Sequence, residues 1–67
     1  MENMIEFNPV FKVGQLLYYA LKESEAGLLT DVTYRLSSNI IWYHVTFDPN
    51  IGEIACRDFE LSESKLF

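Results

Sequence analysis

From Gly27 to Arg57 apolar and polar residues alternate along the chain, and two turn signals cut the alternation into three runs. In the first run Leu28, Thr30, Val32, Tyr34 and Leu36 share one parity, and Leu29, Asp31, Thr33 and Arg35 share the other. A period of two marks a half-buried strand. Unbroken alternation puts Leu28 inward and Leu29 outward. Ser37-Ser38-Asn39 supplies a turn, because Asn tolerates the left-handed conformation. In the second run, Ile40 to Phe47, one parity holds Ile41, Tyr43, Val45 and Phe47. That set is wholly apolar or aromatic and is the predicted core face. The other holds Ile40, Trp42, His44 and Thr46, and so begins with two large apolar residues. Asp48-Pro49-Asn50 forms the next turn, with the φ of Pro pre-set for it. Gly52 then releases the chain into a short run to Arg57, where Ile54 and Cys56 alternate with Glu53, Ala55 and Arg57. The whole stretch predicts a β-meander. Asp58 to Ser62 reads as one tight turn of 3₁₀ type, with Phe59 and Leu61 plugging the core. Ser62 to Phe67 reads as a last short strand or a frayed tail.

The first half is less regular. Residues 1–9 mix charge, Asn and apolar positions without a period, and Asn8-Pro9 is a turn dipeptide. They predict an N-terminal arm, with a short strand over Met4 to Phe7 where an edge is open to it. Residues 10–67 then make one small domain. Val10 to Leu21 supports two readings. As a strand, Val13, Leu17, Tyr19 and Leu21 share one face, and Leu16, Tyr18 and Ala20 the other. As a helix, roughly residues 15–26 are followed by Gly27 as a left-handed stop. That reading gives an α+β fold, a helix packed on a three-stranded meander. Leu16, Leu17, Tyr18 and Tyr19 are four bulky residues in a row, which one helical stripe cannot hold. No Ser, Thr, Asp or Asn precedes Gln15 as a cap. The pattern favours a strand to about Ala20 and a polar loop from Lys22 to Ala26.

Composition narrows the chemistry. A 67-residue chain has little core to spare. Cys56 is its only cysteine, so neither a disulfide framework nor a multi-cysteine zinc pattern is available. An unpaired cysteine suits a reducing compartment. Residues 1–9 lack a basic start and a long apolar run, and no segment is apolar enough to span a membrane. The expected location is the cytoplasm. Ten Asp and Glu stand against five Lys and Arg, a net charge of −5. Lys12, Lys22, Arg35, Arg57 and Lys65 occur singly, which disfavours a phosphate-backbone partner.

Taken in order, four stretches resemble the SH3-like small β-barrels, the group that includes Tudor and KOW modules. They are Phe11-Lys12-Val13-Gly14-Gln15 leading into Leu17-Tyr18-Tyr19, Gly27-Leu28-Leu29-Thr30-Asp31-Val32, Tyr43-His44-Val45-Thr46-Phe47 and Phe59-Glu60-Leu61. The resemblance spans Phe11 to Leu61 and implies an all-β barrel of about five antiparallel strands with a short 3₁₀ turn. Fold likeness does not give function. The KOW branch implies nucleic-acid binding through basic loops, whereas this chain is acidic. The Tudor branch implies an aromatic cage built from loops, but here Lys22 to Ala26 and Asp48 to Ile51 hold no aromatic residue. The SH3 branch implies an acidic first loop beside aromatics, for which Glu23 and Glu25 with Tyr18, Tyr19 and Trp42 are the counterparts.

Catalytic chemistry has little material. His44 and Cys56 are the one base and thiol pair, and alternation sets them on opposite faces of adjacent strands. Asp58 with Glu60, and Glu23 with Glu25, are carboxylate pairs in loops. Gly14, Gly27 and Gly52 are isolated, so no phosphate-cradling loop forms. The expectation is a non-enzyme with no cofactor, no metal and no small-molecule substrate. The stronger signal is apolar surface. With Ile41, Tyr43, Val45 and Phe47 inward, Leu16, Tyr18, Leu29, Ile40 and Trp42 face outward as one predicted patch. Large bare apolar patches mark interaction sites, and Trp and Tyr are frequent anchors. The expected partner is another protein or a second copy of the chain, unless the arm or the tail covers the patch. Nucleic acid stacked on Tyr or Trp is the alternative.

Overall fold

A computed structural model describes residues 8–67. The chain runs β1 (Leu16–Tyr19), β2 (Gly27–Arg35), β3 (Ile40–Thr46), β4 (Glu53–Cys56), a 3₁₀ turn (Asp58–Glu60) and β5 (Leu61–Ser62). The strands form one antiparallel sheet in the order β4-β3-β2-β1-β5. The described residues contain no α-helix. The strand reading of the first half therefore holds, and the helix over residues 15–26 does not form. The row of bulky residues decides this. Leu17 is fully buried, Tyr19 packs on the core, and Leu16 stays 59% exposed on the other side. The predicted strand over Met4 to Phe7 lies outside the described residues.

Gly27 opens β2 instead of closing a helix. A Cβ there would lie 2.6 Å from Val45 Cγ1 and 2.6 Å from Phe47 Cδ1. Only glycine lets β2 pass this close to those side chains. The turns behave as their residues dictate. Asn39 sits at φ 57° and Gly52 at φ 91°. The Asp48 carboxylate accepts the Asn50 N–H at 2.9 Å, and its carbonyl accepts those of Ile51 and Gly52.

One expectation fails inside β2. Leu29 is fully buried and Leu28 is 44% exposed, the reverse of unbroken alternation. The ladder to β3 shows why. Leu29 pairs with Val45, but Asp31 pairs with His44, so Thr30 is an extra residue in a β-bulge. A bulge shifts the side-chain parity by one. Leu29 thus points inward before the bulge and Val32 inward after it. The Thr30 hydroxyl lies between the His44 carbonyl and the Glu53 carboxylate, which anchors the irregularity to β3 and β4.

The core consists of Phe11, Leu17, Leu29, Tyr43, Val45, Cys56 and Leu61. Tyr19, Val32, Ile41, Phe47 and Ile54 pack against it. Full burial of residues such as Leu17, Leu29 and Val45 is worth about 1.5–3 kcal/mol each. Phe11 meets Tyr43 edge to face at 5.3 Å, and Tyr19 stacks on Phe47 at 4.3 Å. The Tyr43 hydroxyl accepts the Val10 N–H at 2.9 Å, so the segment before β1 is fastened to β3. Phe59 does not plug the core as expected. It is 63% exposed, while Leu61, paired with Tyr19 across β1 and β5, fills that role. The 3₁₀ turn swings Phe59 outward beside Arg57, 5.6 Å from its ring.

Candidate functional site

The outer face of the sheet is built from cross-strand rows. Arg35 lies opposite Ile40, Thr33 opposite Trp42, and Asp31 opposite His44, which in turn lies opposite Ala55. A further row joins Leu16, Leu28, Thr46 and Glu53. Ile40, Trp42, His44 and Thr46 face this side because Tyr43 and Val45 are committed to the core. The tight Ser37-Ser38-Asn39 turn brings the ends of β2 and β3 together and sets Ser38 at the rim.

These rows enclose an open depression of about 590 Å³. Its apolar floor is Ile40, Trp42 and Ala55, and its rim includes Thr33, Arg35, Ser38 and His44. Trp42 is half-buried, and the Arg57 guanidinium stands 5.7 Å from its ring centroid. Thr33 Oγ1 and His44 Nε2 are 2.9 Å apart, a hydrogen bond that fixes the imidazole on the sheet surface. The Asp31 carboxylate is occupied by the Val32 N–H at 2.9 Å. The arrangement is an apolar floor with cationic and hydroxyl groups around it.

The five residues expected to form one patch are not brought together. Ile40 and Trp42 share the depression. Leu16 is exposed but belongs to the distant row with Leu28. Tyr18 is half-buried beside the chain's own tail. Lys65 Nζ stands 5.7 Å from its ring and donates to the Ser24 carbonyl at 2.9 Å. Gln15 Nε2 donates to a Glu63 carboxylate oxygen at 2.7 Å and fastens the same tail. Leu29 is lost to the core through the bulge at Thr30. Arg35, Arg57, Thr33 and Ser38 were missing from the expected site. Parity alone puts Arg57 on the side of Ala55, but only the β3–β4 register places it beside Trp42.

The thiol falls elsewhere, away from the depression that His44 lines. His44 faces outward, whereas Cys56 is 2% exposed and faces the core. Burial pushes the Cys56 thiol up, and the Glu60 carboxylate adds to this. The Tyr19 hydroxyl is raised chiefly by burial, then by Cys56 and Glu60. A second cavity of about 290 Å³ lies beside the thiol, between Tyr19, Lys22, Ile54 and Glu60. Groups held protonated in this way are not primed as nucleophiles. The first-loop aromatic pairing is Lys22 over Tyr19, 4.8 Å from its ring, and it is not a cage. No cluster of three His, Cys, Asp or Glu among the described residues could hold a metal. No helix among them is long and apolar enough to cross a membrane.

Comparison with known protein families, with curated proteins and with solved structures finds no match.

Proposed function

We propose that this chain is a small non-catalytic protein-interaction module whose contact face is centred on Trp42. The observation that carries the reading is the convergence of Ile40 and Trp42 on one open depression, with Arg57 braced over the indole. A half-buried Trp in an apolar hollow with a polar rim has the make-up of an interface anchor. The buried, protonated thiol and the outward His44 support the non-catalytic part of the reading. The five antiparallel strands among the described residues, with a 3₁₀ turn between β4 and β5, support an SH3-like barrel as its scaffold. The same reading puts the protein in the cytoplasm, where its single unpaired thiol would stay reduced.

Affinity capture on the wild-type chain and on Trp42→Ser tests the face. Proteins retained by the first and lost by the second, with thermal melts that coincide, support the reading. Identical retention by both removes it. Self-association is a second reading, favoured by the exposed Leu16–Leu28 pair at the other end of the face. Light scattering across a concentration series decides it, and a strict monomer rejects it.

A further inference from the structure

The inference drawn here rests on the Trp42 face just proposed and concerns what that face prefers to bind. The chain carries ten acidic residues and five cations. Even so, among the described residues no acidic side chain lines the depression, which holds Arg35 and His44, with Arg57 standing over its Trp42. Among the described residues neither guanidinium is joined to a carboxylate, and Arg57 faces the Trp42 and Phe59 rings instead. Arg35 lies opposite Ile40, while Arg57 follows Cys56, the partner of Tyr43. Strand spacing and rise then put the two arginine Cα atoms roughly 12 Å apart, diagonally across the Ile40 and Trp42 floor.

We infer that the depression binds an extended protein segment presenting a large apolar side chain between two carboxylates. The apolar side chain would cover Ile40, Trp42 and Ala55. The carboxylates would be gripped by Arg35 and Arg57, whose planar guanidinium matches a carboxylate in a two-point bond. In an extended segment residues i, i+2 and i+4 share one face, so carboxylates four residues apart flank an apolar side chain and are separated by about 13 Å, within reach of two long arginine side chains. A continuous polyanion fits less well. Asp31, opposite His44, and Glu53, opposite Thr46, are exposed beyond one end of the depression, and a phosphate chain running past it would meet them. A second copy of the chain would bring a further net charge of −5 against this one.

Trp42 is the only tryptophan, so its emission reports occupancy directly. The probes are the blocked peptide Ser-Asp-Ser-Phe-Ser-Asp-Ser, its Asn-for-Asp counterpart and decathymidylate, each titrated at low and at high salt. The expected result is a saturable emission shift with the acidic peptide that weakens with salt, and about tenfold weaker binding of the amide peptide. Arg35→Gln, at an exposed position, should weaken the acidic peptide about tenfold and leave the amide peptide unchanged. Arg57→Gln should do the same, with its melt measured beside it. Equal binding of the two peptides overturns the carboxylate preference and leaves the Trp42 face standing. Tighter binding of decathymidylate than of the acidic peptide overturns it in favour of nucleic acid. No shift with either peptide at millimolar concentration also overturns it, while the capture comparison judges the face separately.

Discussion

The Arg57 guanidinium stands 5.7 Å from the Trp42 ring centroid and ties β3 to the 3₁₀ turn across the outer face of the sheet. The same cation lies 5.6 Å from Phe59, so one charge faces two rings. Cation–π contacts at exposed sites are worth about 0.5–1 kcal/mol. Arg57→Ala should therefore cost about 1 kcal/mol in urea unfolding. It should also shift the emission of Trp42 to longer wavelength as water reaches the indole. Unchanged emission would show that the guanidinium does not shield the ring.

Leu28 and Leu29 give the sharpest test of the bulge. Leu29 is fully buried against the core, and truncation of such a leucine leaves a cavity. Leu29→Ala should cost about 2–5 kcal/mol. Leu28→Ala, on the exposed side, should stay within about 0.5 kcal/mol. Chemical denaturation of both variants reads the difference. Equal costs would refute the register shift at Thr30.

That pair also marks how far the sequence could be read. Strands β2, β3 and β4, the turns at Ser37 to Asn39 and Asp48 to Asn50, and the inward set Tyr43, Val45 and Ile41 follow from alternation and turn chemistry alone, whereas β5 at Leu61–Ser62 falls where the pattern predicts a 3₁₀ turn. Each is a local property. The bulge is not local, because Thr30 becomes the extra residue only when β3 supplies Val45 and His44 as neighbours. Nothing in Leu28-Leu29-Thr30-Asp31 announces it. The site was legible to the same extent. Ile40 and Trp42 follow from the parity of one strand. Their neighbours Arg35 and Arg57 follow from pairing between strands distant in sequence. Tyr18 lies beside Lys65, a contact across 47 positions that no periodicity encodes.

Gly27 is held by close packing and not by its backbone angle. Alanine there would set a methyl group 2.6 Å from both Val45 and the Phe47 ring. Val45 is fully buried and cannot give way. Phe47 could move only by leaving its stack on Tyr19. Overpacking of this kind costs about 1–3 kcal/mol, so Gly27→Ala should melt at a clearly lower temperature than wild type. Gly27→Ala combined with Phe47→Leu should recover part of the loss. A neutral Gly27→Ala would mean that the ring swings aside freely.

The thiol and the phenol beside Glu60 should make the fold less stable at alkaline pH. Burial, then Glu60, raises Cys56 above its ordinary value of 9.0. Burial, then Cys56 and Glu60, raises Tyr19 above 10.0. The unfolded chain therefore releases these protons at lower pH than the native chain does. By linkage, their contribution to stability is complete at neutral pH and is lost as pH rises through the raised native values. Urea midpoints should fall above about pH 9. Cys56→Ala should remove the first part of that fall, whatever it costs at neutral pH, because it deletes the titrating group. In native buffer a thiol reagent should label Cys56 far more slowly than in urea, since the thiol is both buried and protonated. Rapid labelling at neutral pH, together with a midpoint that does not change from pH 7 to about pH 10, would show that Cys56 is not sealed in the core.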